Sequence, residues 1–167
     1  MSPERLSAAD AAYPPILRTL PGYTPPAELA VLGDTTLLLT PLVGFFCSRR
    51  APGNVILRAY DWAREARDAG VPVIGGFQSP MERECLDFLL RGTQPVVVCP
   101  ARGIGGMRLP REWRDAIRRG RLLILSPFAD RQRRATVALA AERNRFVAAL
   151  AERVLIAHAA PGGNLMA

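Results

Sequence analysis

A chain of 167 residues fits one domain and is long enough to bury roughly 70% of its unfolded surface without disulfides or metals. Its formal charge of +7 comes from 22 arginines and no lysine, which excludes a Walker A lysine, a Schiff-base lysine and a kinase-type lysine at once. Apolar residues make up 49% and aromatic ones only 7%, no apolar run approaches the length of a membrane span, and Met1 to Arg5 lacks a secretory pattern, so the chain reads as a cytoplasmic protein without a membrane partner.

Residues 1–33 are rich in proline, and Pro14-Pro15, Pro21-Gly22 and Pro25-Pro26 break any long helix. They read as an arm of short turns or helices lying on a domain that spans residues 34–167. A buried strand is predicted over Leu42 to Cys47, leading into Cys47-Ser48-Arg49-Arg50-Ala51-Pro52-Gly53. Asn54 is placed to cap a helix with the apolar stripe Val55, Ala59, Trp62, Ala63 and Ala66, which Gly70 ends. Val71 to Ile74 forms the next strand and closes in Gly75-Gly76. Ser79-Pro80-Met81-Glu82 combines proline at the first helical position with capping-box spacing, and the helix it opens buries Met81, Cys85, Leu86 and Leu89 before Gly92. The alternation continues with a strand from Pro95 to Cys99, a helix near Pro110 to Arg119, a strand from Arg121 to Leu125, a basic loop, a helix near Ala138 to Ala151, and a strand from Arg153 to His158.

Five continuously apolar strands separated by helices imply an α/β protein: a Rossmann-like, doubly wound parallel sheet in a three-layer α/β/α sandwich. In that fold the loops after the strands gather on the carboxyl edge of the sheet, where ligands bind. They are Cys47 to Gly53, Gly75 to Ser79, Pro100 to Gly106, Ser126 to Arg134 and Ala159 to Gly163; four contain glycine and three contain arginine. Glycine admits a phosphate to backbone N–H groups, so Ser48, Arg49, Gly75, Gly76, Gln78, Ser79, Arg102, Gly103, Gly162 and Gly163 are candidate contacts for a nucleotide or nucleic-acid phosphate.

The charge is uneven. Residues 102–145 hold twelve arginines against Glu112, Asp115, Asp130 and Glu142, an excess of +8. Arginine forks suit phosphate oxygens and stack on bases, although Arg111, Arg114, Arg118 and Arg119 read equally as the solvated face of a helix. Cys47, Cys85 and Cys99 have neither disulfide nor zinc spacing, and His158 is the only histidine, so no metal is expected; a histidine base would have to be that residue. Gly103-Ile104-Gly105-Gly106 is not a dinucleotide fingerprint and no Gly-x-Ser-x-Gly elbow occurs, so no cofactor is expected either.

The order Cys47-Ser48-Arg49, then Gly75-Gly76 opening a helix, then Arg143-Asn144-Arg145 at a helix start, then an apolar strand ending in Pro161-Gly162-Gly163 resembles the Rossmann domain of the DNA-processing protein DprA (Smf) family over roughly residues 37 to 165. That resemblance implies single-stranded DNA binding in DNA processing and recombination, and a homodimer. It places Ser48, Arg49, Gly75, Gly76, Arg143, Asn144, Arg145, Gly162 and Gly163 on the binding edge. Cys47 stands where the family has glycine, Gln78 to Glu84 replaces a Gly-Ile-Asp-x-x-x-His pattern, and the chain stops at Ala167 where a further helix and strand would be expected. The alternative is a LOG-type nucleoside-monophosphate phosphoribohydrolase, whose Pro-Gly-Gly-x-Gly-Thr-x-x-Glu turn is similar to Pro161-Gly162-Gly163-Asn164 but departs from it at Leu165-Met166-Ala167. Glu82 and Glu84 would then be candidate acids, with a capping role as the other reading of Glu82. A binding module is expected over an enzyme.

Overall fold

Short runs such as Val96-Val97-Val98 and Leu122-Leu123-Ile124-Leu125 are apolar on both pleat faces, and strands of that kind are stable only where layers cover both sides of the sheet. The computed structural model describes residues 1–163 and has that form. In chain order the elements are β1 (Glu4–Ser7), α1 (Pro15–Thr19), β2 (Glu28–Leu32), a 3-10 turn (Thr35–Leu39), β3 (Val43–Cys47), α2 (Gly53–Asp68), β4 (Val73–Gly75), α3 (Pro80–Leu90), β5 (Val96–Val98), α4 (Arg111–Arg118), β6 (Leu122–Ser126), α5 (Val137–Leu150) and β7 (Arg153–His158). The sheet order is β1-β2-β6-β5-β4-β3-β7. Strands β6, β5, β4, β3 and β7 are parallel, whereas β1 and β2 join antiparallel at the β6 edge.

Two cores flank the sheet. One is built by Ala59, Ala63 and Ala66 of α2, Cys85, Leu86 and Leu89 of α3, and Ala116 and Ile117 of α4. The other joins Tyr13 and Leu17 of the N-terminal segment, Leu37 of the 3-10 turn, and Phe146, Val147 and Ala149 of α5. Alanine on α2 lets that helix sit close to the strands, while Phe45 stacks on Trp62 at 5.2 Å and on Phe77 at 6.2 Å between centroids.

The five predicted parallel strands and four helices are all present, and the first 33 residues differ from the expectation. They contribute β1 and β2 as sheet strands rather than turns and helices alone, because Pro3 precedes β1 and the other prolines fall between Ser7 and Glu28, which leaves both stretches free to hydrogen-bond. The segment between them is pinned by the Tyr13 hydroxyl, which donates to Pro26 O at 2.6 Å, and by Arg18, which donates to the carbonyls of Ala8 and Asp10. Two boundaries also move. Helix α2 starts at Gly53 after Pro52 rather than with an Asn54 cap, and α5 is capped by Thr136, whose Oγ1 accepts from Leu139 N–H at 3.2 Å.

Gly33 makes the antiparallel extension possible. Its φ is +124°, and a Cβ there would lie 2.6 Å from Leu122 O and 3.2 Å from Leu123 Cα. Gly22 also has a positive φ, +72°, but faces open space. Gly33→Ala should therefore lower unfolding free energy by roughly 2–4 kcal/mol, against about 1 kcal/mol for Gly22→Ala, read from urea unfolding midpoints. Equal losses would show that the close approach at Leu122 contributes nothing.

Candidate functional site

Strand order reverses beside β3: α2 leaves β3 across one face of the sheet, and α5 returns to β7 across the other. The loops that follow β3 and β7 therefore part company, and a crevice opens at the carboxyl edge between them. It has a volume of about 590 Å³, and its walls come from the β3–α2 loop, the β4–α3 turn, the first turns of α5 and the segment after β7. Ser48, Arg49, Gln78, Ser79, Arg143, Asn144, Gly162 and Gly163 of the expected set all line it.

Ser48 joins two of those walls. Its N–H donates to His158 O at 2.9 Å, and its Oγ accepts from Ala160 N–H at 2.9 Å, across 112 positions of sequence. The hydroxyl proton of Ser48 is not used in either bond. Arg49 and Arg50 follow it, both exposed at the rim.

Arg143 is the opposite case, a buried guanidinium at 6% exposure. Nη1 donates to Cys99 O at 3.0 Å, and Nε donates to Asn144 Oδ1 at 2.9 Å. A Cβ at residue 76 would collide with this guanidinium, so only glycine fits between Arg143 and the end of β4. Burial pushes the Arg143 pKa down, with the Glu82 carboxylate opposing, yet a guanidinium stays charged in proteins. No carboxylate lies within ion-pair distance of Arg143 among the described residues. The cleft thus presents a buried cation that feels the Glu82 carboxylate but, among the described residues, makes no ion-pair contact with it.

The remaining expected residues sit elsewhere. Gly75 is buried as the last residue of β4, and its carbonyl accepts from Cys99 N–H at 2.8 Å. Arg102 and Gly103 belong to a loop zipped onto the β6–α5 connection: Ser126 Oγ donates to Arg102 O at 2.7 Å, and Gly103 N–H donates to Gln132 O at 2.9 Å. Asp130 completes that zip by accepting from Gly105 N–H at 2.9 Å and pairing with Arg5 at 2.6 Å; the Gly105 bond, then Arg5, holds its carboxyl below the usual range.

Arg143-Asn144-Arg145 lies in the middle of α5, not at its start. Two residues along a helix turn about 200°, so Arg145 points away from Arg143. It lines a second cleft of about 540 Å³ with Arg5, Tyr23, Phe128, Glu28 and Glu142. Here two carboxylates match the two arginines. Burial, with Tyr13 and Glu142 contributing, pushes the Tyr23 phenol up to about 12.

Residues outside the expected contact set also line the main cleft, chiefly Arg50, Thr136 and Ala140, together with Glu82, which the sequence offers as a candidate acid or a cap. Thr136, Ala140, Arg143 and Asn144 follow the i, i+4, i+7, i+8 spacing of one helical face, a signal the sequence carries. Cys47 lies in the cleft as well, and burial, then Glu82, raises its thiol to about 11. Among the described residues no group of three His, Cys, Asp or Glu side chains is placed to hold a metal ion.

Because the Cys47 thiol is neutral below its raised pKa, it is no nucleophile near pH 7. Its alkylation by iodoacetamide in the native protein should climb about tenfold per pH unit from pH 8 to pH 10 without a plateau. A rate that levels off before pH 10 would place the thiol at an ordinary value and contradict its burial.

Fold and cleft define a doubly wound α/β protein with an arginine-lined crevice at its topological switch point. The family model described as DNA recombination-mediator protein A matches residues 4–166, and the chain belongs to that family. Among solved structures, the chain is similar to DNA processing protein A (DprA) from Streptococcus pneumoniae, at 18% identity and a TM-score of 0.76, covering 96% of this chain and 56% of that one. It is also similar to DNA processing protein A from Helicobacter pylori, a structure described for its single-stranded DNA binding mode, at 23% identity and a TM-score of 0.66, covering 93% of this chain and 71% of that one. The chain thus spans little more than half the length of the pneumococcal protein, and likeness at these identities speaks for the fold. No curated protein matched.

Proposed function

We propose that the switch-point cleft binds the phosphate backbone of single-stranded DNA, in a cytoplasmic DNA-processing or recombination role. The observation that carries this reading is the buried Arg143 guanidinium, unpaired among the described residues and facing a crevice rimmed by Arg49 and Arg50. A crevice of about 590 Å³ has the dimensions of a small-ligand site and holds a strand of one or two nucleotides, not a duplex. Family membership and the single-stranded DNA binding mode described for the Helicobacter relative support the same reading.

A hydrolase has less support. Glu82 already accepts two backbone N–H bonds, Glu84 sits outside the cleft near Tyr60, and the Pro161-Gly162-Gly163 likeness runs on into Asn164 to Ala167, outside the described residues. Among the described residues Glu82 is the one carboxylate that lines the cleft, and it is engaged by the backbone rather than free.

The backbone reading is tested by anisotropy of a labelled oligonucleotide over a salt series. Arg143→Ala and the Arg49→Ala/Arg50→Ala pair should each weaken binding at every sequence, and each lost phosphate contact should flatten the log–log salt slope by about 0.7. Arg145→Ala, in the charge-balanced second cleft, should change affinity less than about threefold. An unchanged slope in Arg143→Ala would remove the assignment.

Dimerisation is the finer part of the proposal. Strand β7 pairs only with β3 among the described residues, and Val154 and Ile156 on its edge are 46% and 53% exposed. An antiparallel pairing of β7 with a second copy, about an axis normal to the sheet, puts Val154 opposite Ile156 on the same face and covers both. Ile156→Glu should shift sedimentation from dimer to monomer while leaving the melting temperature of the fold within a few degrees. A wild-type chain that sediments as a monomer at micromolar concentration would exclude the interface.

A further inference from the structure

Helix α3 points its N-terminus into the cleft, the position at which a doubly wound fold commonly receives a phosphate. In this chain that seat is filled from within. Glu82 Oε2 accepts from Ser79 N–H at 2.9 Å and from Gln78 N–H at 3.2 Å, while Ser79 Oγ accepts from Glu82 N–H at 3.3 Å. The carboxylate is buried, at 7% exposure, yet pairs with no cation among the described residues.

The turn that aims those N–H groups is strained. Phe77 has φ +47°, a left-handed conformation that a bulky side chain rarely adopts, and it is held there by burial of its ring against Phe45. Backbone strain next to a ligand cleft, combined with an internal carboxylate on two converging donors, describes an anion seat that the protein closes itself.

We propose that Glu82 is a specificity-determining residue: a resident anion that denies the α3 end of the cleft to phosphate and confines a ligand's phosphate to the side formed by Arg143 and Arg49. This rests on reading the cleft as a phosphate site. A phosphodiester strand carries one charge per nucleotide and places it beside Arg143. A nucleoside triphosphate concentrates several charges within a few bonds and must set one of them against the Glu82 carboxylate. The cleft therefore selects a polynucleotide strand over free nucleoside triphosphates.

Glutamine serves a capping box as well as glutamate does, so Glu82→Gln keeps the helix start and removes only the charge. ATP binding, measured by calorimetry, should strengthen about tenfold or more in Glu82→Gln, while oligonucleotide affinity rises by a smaller factor. The gain should vanish in Glu82→Gln/Arg143→Ala, which ties it to this cleft. An ATP affinity equal to that of the wild type, in a variant with an unchanged melting temperature, overturns the proposal and leaves Glu82 as a cap. The two readings fail separately: a wild type that binds no oligonucleotide sinks the DNA assignment, whereas the ATP gain in Glu82→Gln is read without DNA.

Discussion

A guanidinium cannot shed its proton to relieve burial, so a buried arginine must be supplied with acceptors by everything around it. Arg143 imposes that demand on three elements at once. Strand β5 ends so that the Cys99 carbonyl turns toward Nη1, the residue directly after β4, Gly76, must be glycine because any side chain there would collide with the guanidinium, and α5 supplies Asn144 for Nε. The carboxyl ends of β4 and β5 are thereby fixed relative to α5, and those ends set one wall of the cleft. Ser48 sets the other wall by tying the loop after β3 to the segment after β7. Site geometry here is a by-product of satisfying polar groups at the rim of the sheet.

The parallel half of the sheet was legible because each of its strands is a short apolar run bounded by glycine or proline, and each helix begins or ends on a recognisable signal. The Ser79–Glu82 box is the clearest case, with both reciprocal bonds formed. The N-terminal strands were not legible. Glu4–Ser7 is four residues with one buried side chain, and Glu28–Leu32 follows Pro25-Pro26 closely enough to pass for a turn. Nothing local marks them as strands; their partners, β2 for one and β6 for the other, lie more than twenty residues away.

The site was legible in part, for a related reason. Residues that sit directly after a strand, such as Ser48 and Arg49, are assigned to the carboxyl edge by topology alone. Gly76 reads from sequence as a phosphate contact, whereas the structure places it against the Arg143 guanidinium, an equally strict demand for glycine that sequence cannot tell from the first. Arg143 and Arg145 look equivalent as letters and are separated by helical geometry. Arg102 and Gly103 show a third limit: a glycine-arginine loop on the binding edge is consumed by hydrogen bonds to its neighbour loop, a contact that depends on where residues 126–132 run.

Charge follows the same logic. Of the twelve arginines between residues 102 and 145, Arg121 donates both terminal nitrogens to Leu90 O, Arg111 and Arg118 share Asp115, and Arg143 is buried. Arg131, Arg133 and Arg134 remain exposed on the loop that leads directly into the cleft wall at Ala135 and Thr136, facing outward from the same edge as Arg49 and Arg50. A field from such a rim steers a polyanion toward the crevice over about one Debye length, near 10 Å at 0.1 M salt, and is sequence-blind. Selection must then come from the interior, where dielectric screening is weaker and a single charge counts for more. On the proposed reading the exposed rim gathers anions of any kind, and the two buried charges of opposite sign, Arg143 and Glu82, tell one kind of phosphate from another.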